Sequence, residues 1–166
     1  AREQGLEVYA DQYPYDTSGS DGSTVLIPLW ALAPPGTQVG GQLGETGGRG
    51  GRGDAKANLQ ARLANPAEAA KVRADIEHEI TRRGGASRVV VYDFPDKKYV
   101  EKSIEWVAKD RGISPVEAAI WVQLNGSDRP GGARMRGFSL SEIDIEHIMQ
   151  QDFTATCTDG DTVEFG

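Results

Sequence analysis

Short β-rich segments alternate with capped amphipathic helices along this chain, and no other feature constrains its fold as much. The pair Asn65-Pro66 predicts the start of a helix that carries Val72, Ile76 and Ile80 on one face. A β-rich run over 88–94 follows, and it has the composition of a buried strand. This alternation of helical and strand patterns predicts a mixed α/β fold.

The same signals divide the remainder of the chain. Three further helices are predicted at 97–111, 114–124 and 141–149, the last with Ile145, Ile148 and Met149 facing inward. Short buried strands are expected near the two ends, at 6–10 and 153–157. Segments rich in Gly, Pro and small polar residues are predicted loops, at 16–24, 34–53 and 127–137, whereas the apolar run 25–32 fits either a strand or a short helix.

Composition excludes several classes of function. The 166 residues include 18 basic and 25 acidic residues, for a net charge of −7, which argues against a general binder of nucleic acid. One cysteine, Cys157, excludes a disulfide framework and a cysteine-built zinc site. The longest apolar run is too short to cross a membrane, so a cytoplasmic protein is expected, with the periplasm left open.

The motif Gly48-x-Gly50-x-x-Gly53 spells a dinucleotide fingerprint, but it lies in a Gly-rich segment without a preceding strand. A flexible loop is the simpler interpretation, and a phosphate-binding loop is the alternative. His78 and His147 each lie in a predicted helix without a second ligand at metal-binding spacing, so neither predicts a metal site.

Hydroxyl-bearing side chains follow the first predicted strand. Tyr13 and Tyr15 lie just beyond its end, and Ser18 and Ser20 lie a few residues further on. One interpretation is a hydrophobic plug followed by a turn. The other is a pocket wall whose hydroxyl groups bind a ligand carboxylate or amide. Asp159 follows the last predicted strand and is, taken alone, either a turn residue or a functional carboxylate.

Taken together, the two ends of the chain resemble a known family, the D-aminoacylases or N-acyl-D-amino-acid deacylases of the metal-dependent amidohydrolase superfamily. The residues that carry the resemblance are Gln4-Gly5-Leu6, Val8, Asp11 and Tyr13-Pro14-Tyr15 near one strand, and Ile148-Met149, 153–157 and Thr158-Asp159-Gly160 near another. The resemblance covers most of the chain except about residues 36–56.

The resemblance implies an α/β fold that is a fragment of a (β/α)₈ amidohydrolase barrel, comprising its last two strands and a large α/β insertion or lid. Residues 1–15 would be a barrel helix end and strand, residues 16–152 the inserted lid or substrate region, and residues 153–166 the last barrel strand with its following loop. The two strands would then be parallel neighbours, with Tyr13 and Asp159 on one rim.

The resemblance also implies a reaction, which is hydrolysis of the amide bond in an N-acyl-D-amino acid. Asp159 would act as general base and then general acid, and it is also the single candidate metal ligand in the chain. Tyr13, Tyr15, Ser18 and Ser20 would bind the substrate.

The family's histidine ligands have no counterpart here, so zinc is expected in the intact parent enzyme and not in this chain alone. The chain alone is therefore expected to be inactive. The expected partners are the remainder of the parent barrel and a small N-acyl-D-amino acid or D-dipeptide, without nucleic acid or membrane. The oligomeric state stays open.

A non-catalytic α/β module for protein interaction or ligand binding is the alternative function. In such a module Asp159 would be only a turn residue, and the two terminal strands need not be neighbours. The relative position of these strands therefore discriminates between the two hypotheses.

Overall fold

The capped helices predicted from the sequence are the main elements of this structure, a computed structural model that describes residues 2–21, 25–34, 55–126 and 133–158. The helices are α1 (Leu29–Leu32), α2 (Ala55–Ala64), α3 (Pro66–Arg82), α4 (Ile104–Arg111), α5 (Pro115–Asn125) and α6 (Glu142–Met149). The strands are β1 (Ala10–Gln12), β2 (Ser18–Asp21), β3 (Val89–Asp93), β4 (Arg134–Gly137) and β5 (Thr154–Thr156). The predicted mixed α/β class is confirmed. Among the helices of the described ranges, none combines the length and the apolar character that crossing a membrane requires.

The contacts within the chain divide it into two units. Residues 1–18 and 139–166 form one, here called the terminal unit, and residues 19–138 form the other, here called the inserted unit. The terminal unit holds a two-stranded sheet of β1 and β5, and the inserted unit is built around a sheet with the order β2-β4-β3. The boundaries 1–15, 16–152 and 153–166 stay a prediction.

Local capping chemistry explains where the helices begin. The Asn65 side chain accepts hydrogen bonds from the backbone N–H groups of Ala67 and Glu68, at 3.0 and 3.4 Å, and Pro66 fills the first helical position of α3. Ser114 caps α5 through the backbone N–H of Glu117, at 3.2 Å. Both helix starts lie where the sequence predicts them.

The hydrophobic core of the inserted unit combines buried residues of the sheet and of α3, α4 and α5, with α3 packed on α5 and α4 packed on both α5 and β3. Val72, Ile76 and Ile80 of α3 are buried, as their spacing predicts. Val89 and Val91 of β3 are fully buried on the sheet face. The apolar run 25–32 contributes buried residues ahead of α1, so the short helix was the correct alternative for its second half.

The predicted helix over 97–111 is wrong in its first half. Residues Lys97–Tyr99 form a 3₁₀ turn, and Glu101 has a left-handed φ of 62°. The backbone there pairs with β3, since the N–H of Val91 donates to Lys102 at 2.9 Å and the N–H of Glu101 donates to Val91 at 2.8 Å. These bonds replace helical ones, so α4 begins only after Ser103.

Three strand predictions are also corrected. Residues 18–21 and 134–137 were predicted loops and instead form β2 and β4, whose partner strands satisfy their backbone groups. The predicted buried strand at 6–10 lies instead at Ala10–Gln12, and Leu6 and Tyr9 are 58% and 71% exposed. The predicted loop at 34–53 and its Gly48-x-Gly50-x-x-Gly53 motif lie outside the described residues, except for Pro34.

The largely buried side chain of Arg83 ties a loop of the inserted unit to α3. Arg83 donates from Nε to the carbonyl of Val25 at 3.0 Å, and Glu79 lies 3.6 Å from the same nitrogen. Burial lowers the pKa of Arg83 below its ordinary value, although the nearby Glu79 carboxylate opposes that shift. Gly137 leaves room for this guanidinium, because a Cβ there would lie 2.7 Å from Nη1. Arg83 is therefore a structural residue.

We expect Ile76→Ala to lower the free energy of unfolding by about 2–5 kcal/mol, because Ile76 is fully buried and its truncation leaves a cavity. Urea denaturation followed by circular dichroism measures this change. Ile143→Ala is the control, since Ile143 is 78% exposed and its truncation should change stability by less than ~0.5 kcal/mol. Equal losses in the two variants would contradict the assigned core.

The ion pair between Lys98 and Asp110, at 2.7 Å, lowers the pKa of the Asp110 carboxyl. We expect Lys98→Met to raise that pKa toward its ordinary value, with Lys97→Met as a neutral control. NMR titration of the carboxyl carbon measures both. Because the folded-state pKa is depressed, the pair stabilises the fold above the ordinary carboxyl pKa, and this contribution is lost as pH falls through the lowered value. An unchanged pKa in Lys98→Met would refute the pairing.

Candidate functional site

The two ends of the chain meet in a parallel strand pair. Strand β1 lies beside β5 with Ala10 opposite Thr154 and Gln12 opposite Thr156. The N–H of Ala10 donates to the carbonyl of Phe153, and the N–H of Cys157 donates to that of Gln12, both at 3.0 Å. The prediction that the terminal strands are parallel neighbours is therefore confirmed, although the first strand begins later than predicted.

Parallel pairing places the carboxyl ends of both strands at one edge, where α/β proteins commonly bind ligands. Tyr13 and Tyr15 follow β1 at this edge, with ring centroids 5.7 Å apart and planes tilted by 37°. Tyr13 is half-buried and Tyr15 is 46% exposed. Thr158 is the last described residue after β5, and Asp159 lies outside the described residues. The two tyrosines lie at this edge, and the proposed roles of these phenols and of Asp159 stay predictions.

The two predicted substrate-binding serines lie in a strand and not in a loop. Ser18 and Ser20 belong to β2, which neighbours β4 in the three-stranded sheet. Ser18 is half-buried and has an interaction partner, and the side chain of Ser20 lies outside the description. Their role in substrate binding stays a prediction.

A cleft of about 370 Å³ lies next to Tyr13 within the terminal unit. Its described lining comes from the end of β1, from the segment before α6 and from one face of α6, and we call it the β1–α6 cleft. The lining residues are Gln12, Tyr13, Ser139, Leu140, Ser141, Asp144, Ile145 and Ile148.

Backbone and side-chain hydrogen bonds hold the walls of the cleft. The Ser141 side chain caps α6 by accepting from the backbone N–H of Asp144, at 3.4 Å. The N–H of Leu140 donates to the carbonyl of Asp16, at 3.2 Å, which ties the segment before α6 to the turn after Tyr15. The Gln12 amide donates from Nε2 to the carbonyl of Ile145 at 3.5 Å, a long contact between β1 and α6.

The Gln12 side chain also leaves one polar atom unsatisfied. Its Oε1 is buried and accepts no hydrogen bond from the described residues. A buried amide oxygen without a donor is costly, and such atoms commonly mark sites where a ligand or water supplies the missing bond. Gln12 therefore offers an acceptor in the wall of the cleft.

Sequence analysis identified Tyr13 and missed the other polar residues of the cleft. The sequence identifies Ser141 as a helix cap and shows Asp144 three positions later. Nothing in the local sequence indicates that Gln12 lines the same cleft. The prediction that Ile145 faces inward is confirmed, since it is 7% exposed. The same prediction for Ile148 is wrong, because it is 44% exposed and lines the cleft.

The described residues do not fit a metal centre. No three of their His, Cys, Asp or Glu side chains lie close enough together to share one ion. Cys157 is a half-buried free thiol one residue past β5.

Comparison with known proteins gives one distant resemblance. No family model and no curated protein matches the chain. Among solved structures it is similar to N-acyl-D-glutamate deacylase from Bordetella bronchiseptica, in a crystal structure with zinc and a phosphonate mimic of the tetrahedral intermediate. The identity is 16% and the TM-score 0.47, over 96% of this chain and 20% of that protein. The chain thus spans about a fifth of that protein's length.

We expect Gln12→Leu to leave the free energy of unfolding unchanged or to raise it by up to about 1 kcal/mol. The substitution removes a buried oxygen that has no donor and costs only a long hydrogen bond. Gln150→Leu, at an exposed position at the end of α6, is the matched control. Thermal or urea unfolding measures both. A loss above ~1 kcal/mol for Gln12→Leu alone would show that this amide serves the fold and not a ligand.

Proposed function

We propose that this chain belongs to a hydrolase that cleaves the amide bond of N-acyl-D-amino acids, and that the carboxyl edge of β1 and β5 contacts the substrate. The observation that carries the proposal is the parallel pairing of the two strands. The resemblance to the deacylase family requires this pairing, and a non-catalytic module does not. The pairing gives the residues after both strands a common edge.

The tyrosine pair supplies the substrate-binding part of the site. Phenol groups donate and accept hydrogen bonds, and the half-buried ring of Tyr13 combines this with apolar surface. Tyr13 and Tyr15 would hold the carboxylate or acyl oxygen of the substrate. Ser18 and Ser20 are the further candidates from the same segment of the chain.

Asp159 supplies the proton transfer. Its carboxylate would accept a proton from water as the water oxygen bonds to the acyl carbon. When the C–N bond breaks, the same proton would pass to the nitrogen of the leaving amine. Asp159 directly follows Thr158, the last described residue after β5, in the sequence.

The surface of the terminal unit supports the idea that further polypeptide packs on it. Seven of the nine large apolar side chains that are exposed in the described residues lie in this unit, among them Leu6, Tyr9 and Ile143. Ile145 is its one buried apolar residue within the described ranges. Because parallel sheets are normally covered on both faces, the missing cover would be the remaining strands and helices of the parent barrel. The zinc of such an enzyme would be held there.

Asp159→Asn in the intact parent protein tests the reaction. We expect the release of amine from a panel of N-acyl-D-amino acids to fall at least ~100-fold, since the substitution removes the group that transfers the proton. Fluorescent detection of the primary amine measures the rate, and the N-acyl-L-amino acids serve as the stereochemical reference.

Asp161→Asn is the control, because it removes the same charge two residues away from the proposed acid and base. It should retain the activity of the unmodified protein. Equal rates in all three proteins would remove Asp159 from the mechanism, and equal rates on D- and L-compounds would remove the proposed substrate class.

A further inference from the structure

The β1–α6 cleft has one acidic side chain in its described lining. That side chain is Asp144, which is exposed at the start of α6, and the other seven lining residues are neutral. A carboxylate in such a cleft attracts a cation and repels an anion. The charge of the lining therefore selects against the acidic side chain of a glutamate or aspartate derivative.

Gln12 adds an acceptor to the same cleft. Its buried Oε1 lacks a donor among the described residues, and an N–H group of a ligand would satisfy it. The hydroxyl groups of Tyr13 and Ser141 add further acceptors. An ammonium group has three donors and no acceptor, which matches this set.

The apolar part of the lining indicates what accompanies that cation. Leu140 and Ile148 are 40% and 44% exposed, and Ile145 of α6 is buried. Methylene groups bind such surfaces while a charged end stays near water or a counter-ion. The cleft volume of about 370 Å³ lies in the lower range of small-molecule pockets.

The charge of the whole terminal unit also favours a cationic ligand. Residues 1–18 and 139–166 contain 11 acidic residues and one basic residue, Arg2. A surface with so little compensating charge has a negative potential that concentrates cations near it.

We infer that the β1–α6 cleft binds an alkylammonium group, with the ammonium between Asp144 and Gln12 and the alkyl stem against Leu140 and Ile148. If the proposed function holds, on which this extension rests, the preferred substrate is an N-acyl-D-amino acid with a cationic side chain of the lysine or ornithine type.

Calorimetric titration of the full chain with pentylamine tests the cleft directly. We expect saturable binding that Asp144→Asn weakens at least ~10-fold, because a charge-assisted hydrogen bond is lost. Glu146→Gln is the matched control, since it removes a negative charge from the same helix outside the lining, and it should change the affinity less than ~2-fold. Equal effects of the two substitutions, or no binding of pentylamine, would overturn the inference.

A second comparison separates this inference from the proposed function. N-acetyl-D-lysine should bind at least ~10-fold more tightly than N-acetyl-D-norleucine, which lacks the ammonium, and N-acetyl-D-glutamate should bind most weakly. If the parent protein hydrolyses all three equally well, the inference fails and the proposed function stands. If pentylamine binds through Asp144 but no N-acyl-D-amino acid is hydrolysed, the proposed function fails and the cleft assignment stands.

Discussion

The parallel pairing of β1 and β5 is the interaction on which the candidate site depends. Parallel strands need a crossover connection, and here the inserted unit and α6 both lie between the paired strands in the sequence. Each strand has only three residues, so the pair contributes few hydrogen bonds of its own. Ile145 is the one buried apolar side chain among the described residues of the terminal unit, so little apolar burial there supports the pairing.

Elements fixed by contacts between residues close in the sequence were predictable, and elements fixed by contacts between distant residues were not. The starts of α3 and α5 were predictable because Asn65 and Ser114 bind backbone groups two or three residues away. Strands β2 and β4 were not predictable from local sequence. The residues of β2, Ser18–Asp21, are small and polar, and they form a strand because they pair with β4, which is distant in the sequence. The prediction of a helix over the first half of 97–111 was wrong for the same reason. The backbone N–H of Glu101 donates to Val91 of β3 and not to a carbonyl in the preceding helical turn. Long-range pairing thus overrode local propensity.

The same distinction separates the parts of the candidate site. The tyrosine pair was predictable from a motif that is contiguous in sequence. The β1–α6 cleft was not, because its polar groups come from opposite ends of the chain, Gln12 from β1 and Asp144 from α6. A helix cap at Ser141 followed by an acidic residue is a common structural pattern, and only the neighbouring unsatisfied amide makes it notable.

The basic residues that contribute to the net charge of −7 are distributed unequally between the two units. Seventeen of the 18 basic residues lie in the inserted unit, where several are used by the fold. Arg83 binds the carbonyl of Val25, Arg88 that of Phe138, and Arg62 pairs with Glu68 while 7% exposed. The acidic residues of the terminal unit have only Arg2 as a basic residue within that unit, so the unit has a large excess of negative charge.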